Sequence, residues 1–222
     1  MGSANPPKIT QRFLLHRGKK FDFELLTVER PGGRTLQREN VRHSGAVVVV
    51  PILDDSPPGP PALRAGNLNP EPHPARRAGV PKSIVLIRNF RISLAQPLLE
   101  CCAGTIERPR LPDQNGQPAG FGPGEAPELC ASRELIEETG YQAATLVPLG
   151  WFYTTPGLTD EQMFAFAATG LTQVGQKLEE DEAIDVEIVP VPRVLDMIRT
   201  GELRDAKSML AILLAERAGL FA

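Results

Sequence analysis

Chemistry concentrates in one stretch, Glu125-Ala126-Pro127-Glu128-Leu129-Cys130-Ala131-Ser132-Arg133-Glu134-Leu135-Ile136-Glu137-Glu138-Thr139-Gly140-Tyr141. Pro127 suits the first turn of a helix, where its missing N–H goes unpaired anyway, and Gly140 suits the left-handed cap that ends one. At about 100° per residue, Glu134, Glu137 and Glu138 fall on an arc roughly 100° wide, while Leu129, Ser132 and Ile136 point the other way, toward a core. Like charges four residues apart weaken a helix by a few tenths of a kcal/mol. A divalent cation such as Mg²⁺, which takes oxygen ligands and commonly bridges to phosphates, removes that repulsion. By helix geometry alone, a solvated acidic face is the plainer meaning of such a stripe. The surrounding residues turn the reading toward metal.

The pattern E-x7-R-E-L-I-E-E-T-G-Y resembles the core of the Nudix box. Upstream, Glu100-Cys101-Cys102-Ala103-Gly104-Thr105-Ile106-Glu107 resembles the E-x-x-A-G-x-I-E opening found in ADP-ribose pyrophosphatases. In the family a glycine stands six positions before the first glutamate of the box, whereas here position 119 is Ala and Gly104 stands 21 positions before Glu125. The difference is a 15-residue insertion, roughly Arg108 to Gly122, rich in Pro, Gly and Gln. Such a segment loops out at modest closure cost.

The resemblance implies a Mg²⁺-dependent hydrolase, with Mn²⁺ as a substitute ion, that cleaves the diphosphate of a nucleotide sugar. ADP-ribose would yield AMP and ribose 5-phosphate; a GDP- or UDP-sugar, or a non-catalytic Nudix-fold ligand sensor, stand as alternatives. Glu134 and Glu138 are then the principal metal ligands, Glu137 is shared between ions, and the Ala103 carbonyl is a further oxygen ligand. Arg133 would hold the carboxylates in ligating rotamers by ion pairing, and Glu125 would support the loop before the helix. Sensor modules of this fold typically lose metal carboxylates; Glu134, Glu137, Glu138 and Arg133 are all in place here.

Other stretches carry the resemblance further. Asn89-Phe90-Arg91 is similar to a Q-[FY]-R element, with Asn in place of Gln, so Arg91 is expected against the diphosphate. Its planar fork fits phosphate oxygens in a bidentate way. Thr154 to Glu161 resembles the loop S-P-G-x-[ST]-x-E, which makes Glu161 the general base or water-orienting carboxylate and Asp160 its adjacent reserve. Arg38-Glu39 matches a pair in the family's N-terminal arm. Lys19 and Lys20 fall where an adenine-stacking aromatic is expected, with Phe21 just after and able to take that place. The acidic run Leu178 to Ile184 resembles a segment from which Glu180 or Glu182 could approach the metals. Arg204-Asp205-Ala206-Lys207-Ser208 matches the D-A-K-[ST] opening of the family's last helix.

Positioning these groups requires a scaffold. Phe21 to Glu29 reads as a strand, Pro31-Gly32-Gly33 as a turn and Thr35 to Val41 as the returning strand. Ala46 to Leu53 is a continuous β-branched run suited to a buried strand. Ser83 to Arg91, Leu146 to Tyr153 and Met163 to Ala168 read as further strands. Helices are expected from Pro192 to Thr200, stopped by Gly201, and from Arg204 to near Ala218. The fold class is α/β (α+β), by resemblance a Nudix α/β/α sandwich around a mixed β-sheet with an N-terminal antiparallel strand arm. The arm spans 1–45 and the hydrolase domain 46–222, with insertions near 55–82 and 108–122. A lone hairpin is marginally stable, so the arm packs on its own domain or on a second subunit. The resemblance implies a homodimer. The Pro/Gly-rich run 55–82 reads as an extended surface loop, with His73 solvated in it.

Composition bounds the rest. The 222 residues suffice for one substantial core, and fractions of 41% apolar and 23% charged residues are ordinary for a soluble globular chain. A net charge of −3 gives no basic field for nucleic acid. No apolar run nears the ~20 residues that cross a bilayer, and the first residues lack a signal-peptide core. Cys101, Cys102 and Cys130 have no C-x-x-C spacing, which excludes a disulfide framework or zinc site and suits reduced thiols in a cytoplasmic protein.

Overall fold

Valine and isoleucine, stiff at χ1, fit a pleated strand better than a helix, and they set the centre of this molecule. The computed structural model describes residues 6–18, 20–54, 81–112, 118–178 and 183–222. Lys19, His73, Glu180, Glu182 and most of the Pro/Gly-rich run lie outside the described residues, and so do the expectations placed on them. In chain order the elements are β1 (Lys8–Arg17), β2 (Phe21–Glu29), β3 (Thr35–His43), β4 (Ala46–Leu53), β5 (Ser83–Arg91), β6 (Gln96–Glu100), β7 (Ala103–Thr105), β8 (Arg110–Pro112), β9 (Pro118–Phe121), α1 (Pro127–Glu134), β10 (Tyr141–Tyr153), β11 (Gln162–Gln173), β12 (Ile184–Pro190), α2 (Val191–Thr200) and α3 (Ala206–Arg217). They group into two units. The first comprises Met1–Val47, Gly104–Cys130 and Trp151–Phe164; the second comprises Val48–Ala103, Ala131–Gly150 and Ala165–Ala222.

In the first unit β1, β2 and β3 form an antiparallel sheet in that order. The β2–β3 turn uses Gly32 and Gly33 at φ 92° and 80°, a region open to glycine at no steric cost. The inward face of β2 is Asp22, Glu24 and Leu26, all buried, whereas Phe21 is 46% exposed. Hydrophobic alternation would have chosen the opposite face. The buried carboxylates reverse it because each meets arginine: Glu24 faces Arg12 at 2.7 Å and Arg42 at 3.5 Å, and Asp22 faces Arg110 at 2.5 Å. Arg110 belongs to the insertion, which folds as an antiparallel hairpin of β8 and β9. Its guanidinium also donates to Gly18 O at 2.9 Å and lies 4.1 Å from the centre of the Phe121 ring.

The second unit carries the hydrophobic core. Its sheet runs β10-β11-β4-β5-β12, with β6 also paired to β5; β5 is antiparallel to β4, β6 and β12. Val48, Val49, Val50, Ile52 and Ile84 to Ile87 are at most 1% exposed. Burying each contributes about 1.5–3 kcal/mol at the upper bound. Gly201 at φ 73° ends α2, as its position after Thr200 predicts. Asp205 caps α3, its carboxylate accepting from Ser208 N–H at 3.1 Å. The strands at Phe21, Ala46 and Ser83 start where the sequence puts them, while β10 and β11 are longer than expected and β6 was not foreseen.

Candidate metal and catalytic site

Helix α1 gives way at Leu135 to a π-helical turn, Leu135–Thr139, that Gly140 closes at φ 74° with its N–H on Ile136 O. Such turns recur at functional sites. A Cβ at Gly140 would lie 2.8 Å from Gln176 N, so both the backbone angle and the neighbouring chain demand glycine. The last carbonyls are satisfied from 174–177: Val174 N–H donates to Gly140 O, Lys177 N–H to Glu137 O, and Gln176 Nε2 to Glu138 O at 2.7 Å.

The inward face is not the one the helical wheel predicts. Leu129 is 65% exposed, and Ser132 and Ile136 are half-buried, while Cys130, Ala131, Glu134, Leu135, Glu138 and Thr139 are buried. The two carboxylates turn inward because their partners lie there. Glu138 Oε2 accepts from Ala103 N–H at 2.9 Å. Arg133 lies 2.8 Å from both Glu134 and Glu137. The fields of Glu138 and Glu134 both reach the buried thiol of Cys102, which burial first and these carboxylates next push well above the ordinary range.

Glu134 and Glu137 share the Arg133 guanidinium, and Glu138 adds a third carboxylate on the same turn. Glu134 and Glu138 are 9% and 4% exposed, and carboxylates this buried are kept ionised by paired charges or by a metal ion. Among the described residues no three His, Cys, Asp or Glu side chains close into a metal cage. An open, oxygen-rich set suits Mg²⁺, which keeps waters and takes substrate phosphates alongside one or two carboxylates. The donor chemistry therefore fits a hard divalent ion.

Arg91 lies in the same unit. Its Nε and Nη2 both donate to Glu100, at 2.6 and 2.5 Å, and Glu100 is fully buried. The Glu100 hydrogen bonds raise the Arg91 pKa despite burial, and the charges of Glu138 and Asp205 add to the effect. Lys207 Nζ donates to Glu100 at 2.5 Å and to Asp205 at 2.9 Å, and Ser208 Oγ accepts from Cys101 N–H at 2.7 Å. The D-A-K-S opening of α3 is thus the anchor that holds the Arg91–Glu100 pair, a duty the sequence reading did not assign to Lys207 or Glu100. The contact follows from β6 returning antiparallel to β5, with Glu100 opposite Ile87, a pairing that the sequence does not announce.

The other expected site residues belong to the first unit. Glu161 Oε2 accepts from Thr154 Oγ1 at 2.5 Å, and its Oε1 lies 3.6 Å from His43 Nε2. Asp160 Oδ1 accepts from His43 N–H at 2.8 Å. Arg38 is exposed, and its Nη1 donates to Gln37 O at 3.0 Å. Glu125 Oε1 accepts from Glu107 N–H at 3.1 Å, the supporting contact expected of it. His43 escaped notice because nothing in its neighbourhood marks it; its partners come from the far end of the chain.

A mixed α/β fold with a carboxylate helix capped by Gly140 defines a class, and residues 84–211 match the NUDIX domain, so the chain belongs to the Nudix family. Among its relatives, the ADP-ribose pyrophosphatase of Bacillus subtilis (strain 168) is 32% identical over 197 residues, 88% of this chain and 84% of that one. The GDP-mannose pyrophosphatase of Enterobacter sp. (strain 638) is 32% identical over 151 residues, 64% and 70% of the two chains. A solved structure titled as an ADP compounds hydrolase has the same fold, with a TM-score of 0.70 at 21% identity, covering 98% of this chain and 96% of that one.

Proposed function

We propose that this protein hydrolyses the diphosphate bridge of a nucleotide sugar, with ADP-ribose giving AMP and ribose 5-phosphate. The observation that carries the reading is the inward-turned pair Glu134 and Glu138, of which Glu138 accepts from Ala103 N–H at the start of β7. Their setting in a chain 32% identical to an ADP-ribose pyrophosphatase supports the substrate class. Glu134, Glu138, Glu137 and the Ala103 carbonyl would hold Mg²⁺, or Mn²⁺ in its place, which would supply positive charge to the phosphate oxygens. Arg133 fixes Glu134 and Glu137 from the helix itself. Arg91, whose Nε and Nη2 are held by Glu100, offers its remaining N–H groups to the diphosphate, Glu161 takes the proton of the attacking water or orients it, and Arg38 and Phe21 of the 1–45 arm meet the nucleoside. Complete retention of the acidic set favours an enzyme over a ligand sensor.

The half-exposed apolar side chains of the edge strand β1, Ile9, Phe13, Leu14 and Leu15, support a homodimer built through that arm. No helix among the described residues is long and apolar enough to cross a membrane; a cytoplasmic location is part of the proposal. GDP-mannose is the competing substrate, favoured by the second relative. The test is product analysis over ADP-ribose, GDP-mannose and UDP-sugars, with Mg²⁺ and with EDTA. Mg²⁺-dependent AMP release that is fastest from ADP-ribose supports the reading, and inertness across the panel overturns it.

A further inference from the structure

The loop that carries Glu161 is pinned, within the first unit, to the end of β3. Val41 N–H donates to Leu158 O at 2.9 Å, Asp160 N–H to Val41 O at 3.3 Å, and His43 N–H to Asp160 Oδ1 at 2.8 Å. The His43 side chain is 12% exposed, and its Nδ1 accepts from Gly45 N–H at 3.1 Å. Gly45 sits at φ 94°, so this amide is presented by a conformation that other residues rarely adopt. An imidazole nitrogen that accepts carries no proton, which leaves the neutral ring's proton on Nε2. Nε2 faces Glu161 Oε1 at 3.6 Å, while Thr154 Oγ1 holds Oε2. Oε2 of Glu161 therefore has a hydroxyl donor, and Oε1 faces the ring N–H. The ring contact is longer than a formed hydrogen bond, and catalytic contacts of this kind tighten when substrate is bound.

We propose that His43 is a positioning residue: its Nε2–H holds Glu161 in the orientation from which that carboxylate acts on water. This rests on the reading of Glu161 as the base. The charged groups facing the ring are Glu161, Asp160 and Lys20. Burial keeps the ring neutral, and so in its single-donor form, against the pull of the two carboxylates.

Two measurements test it, one of which needs neither metal nor turnover. Titration of the isotope-labelled His43 ring by NMR is compared in wild type, Glu161→Gln and Asp160→Asn. The Glu161→Gln change removes a charge that favours the protonated ring, so the His43 midpoint falls; an unmoved midpoint overturns the contact. Kinetics on whichever substrate the wild type turns over give the second readout. His43→Ala lowers kcat by about tenfold or more with little change in KM. His43→Gln, whose amide N–H reaches about as far as Nε2, restores most of that loss. Unchanged kcat in His43→Ala, a change confined to KM, or equal losses in both variants overturns the proposal. If His43→Ala fails to fold, the His43→Gln rate and the NMR comparison still decide. Should wild type be inert on every substrate, the functional reading fails, and the NMR result alone judges the His43–Glu161 contact.

Discussion

The Arg91 guanidinium grips Glu100 with two parallel N–H groups, and Lys207 closes the same carboxylate from the other side. Glu100 is fully buried between two cations. Removing it takes the carboxylate from Arg91 and leaves Lys207 with Asp205 alone. Glu100→Ala should lower the unfolding free energy by about 1–3 kcal/mol, read from urea denaturation. Arg91→Ala should cost less, because the Arg91 side chain is 38% exposed and Lys207 still serves the carboxylate. Its larger effect should be a raised KM.

Glu138→Gln separates charge from shape. The amide oxygen can still accept from Ala103 N–H, but the negative charge is gone. Activity should fall by at least about a hundredfold. Wild type should gain thermal stability on adding Mg²⁺ and the variant should not, since only a state that binds the ion is stabilised by it. A variant that still gains stability on adding Mg²⁺ would place Glu138 outside the ion's ligands.

Asp22 and Arg110 join β2 to the insertion. Asp22 is 3% exposed, and Arg110 is its ion-pair partner at 2.5 Å. Arg110→Ala leaves a buried charge and should cost about 3 kcal/mol. Asp22→Asn combined with Arg110→Ala should cost less than the two single changes added together. A double-mutant cycle by denaturant unfolding measures the coupling, and additive costs would mean that the hairpin is held by other contacts.

His43 gives stability a pH dependence of known sign. Burial, outweighing the carboxylates Glu161 and Asp160, lowers its pKa from 6.5. Below 6.5 the unfolded chain binds a proton that the folded chain still excludes, so acidification favours unfolding. The contribution is therefore intact above that value and lost as pH falls through the folded pKa. Comparing melting temperatures of wild type and His43→Gln between about pH 7 and pH 5 isolates it; wild type should lose ground to the variant on the acid side.

Native thiols should be silent. Cys101, Cys102 and Cys130 are all buried, and burial pushes the Cys101 thiol up to about 12. A thiol-reactive dye at neutral pH should label none of them until the protein unfolds. Prompt labelling would mean that the Cys101–Ser208 contact opens readily.

The legible parts of this molecule are those set by local chemistry. The β-branched run at Ala46, the turn at Gly32-Gly33, and the stops at Gly140 and Gly201 each follow from what one residue type can do with its own backbone. The inward carboxylates of β2 do not follow, since the arginines that admit them come from β1, β3 and the insertion. The π turn at Leu135 carries no spacing signature, so a wheel drawn at the α-helical period misassigns Leu129. His43 lies beside Glu161 only through tertiary pairing of β3 with a distant loop. The candidate metal carboxylates and Arg133 stand out in the sequence because they share one short helical segment, whereas the Ala103 N–H that meets Glu138 comes from a distant strand.

Glu107 and Glu125 clasp each other across the base of the insertion: Glu107 N–H donates to Glu125 Oε1, and Glu125 N–H to Glu107 O at 3.1 Å. The hairpin is thus a cassette whose two ends are already fastened before its own sequence begins. A graft between Pro112 and Pro118 keeps Arg110 on Asp22 and exchanges only what lies between while the backbone on either side stays tied, which makes this segment a natural place to install a tag or a new recognition surface.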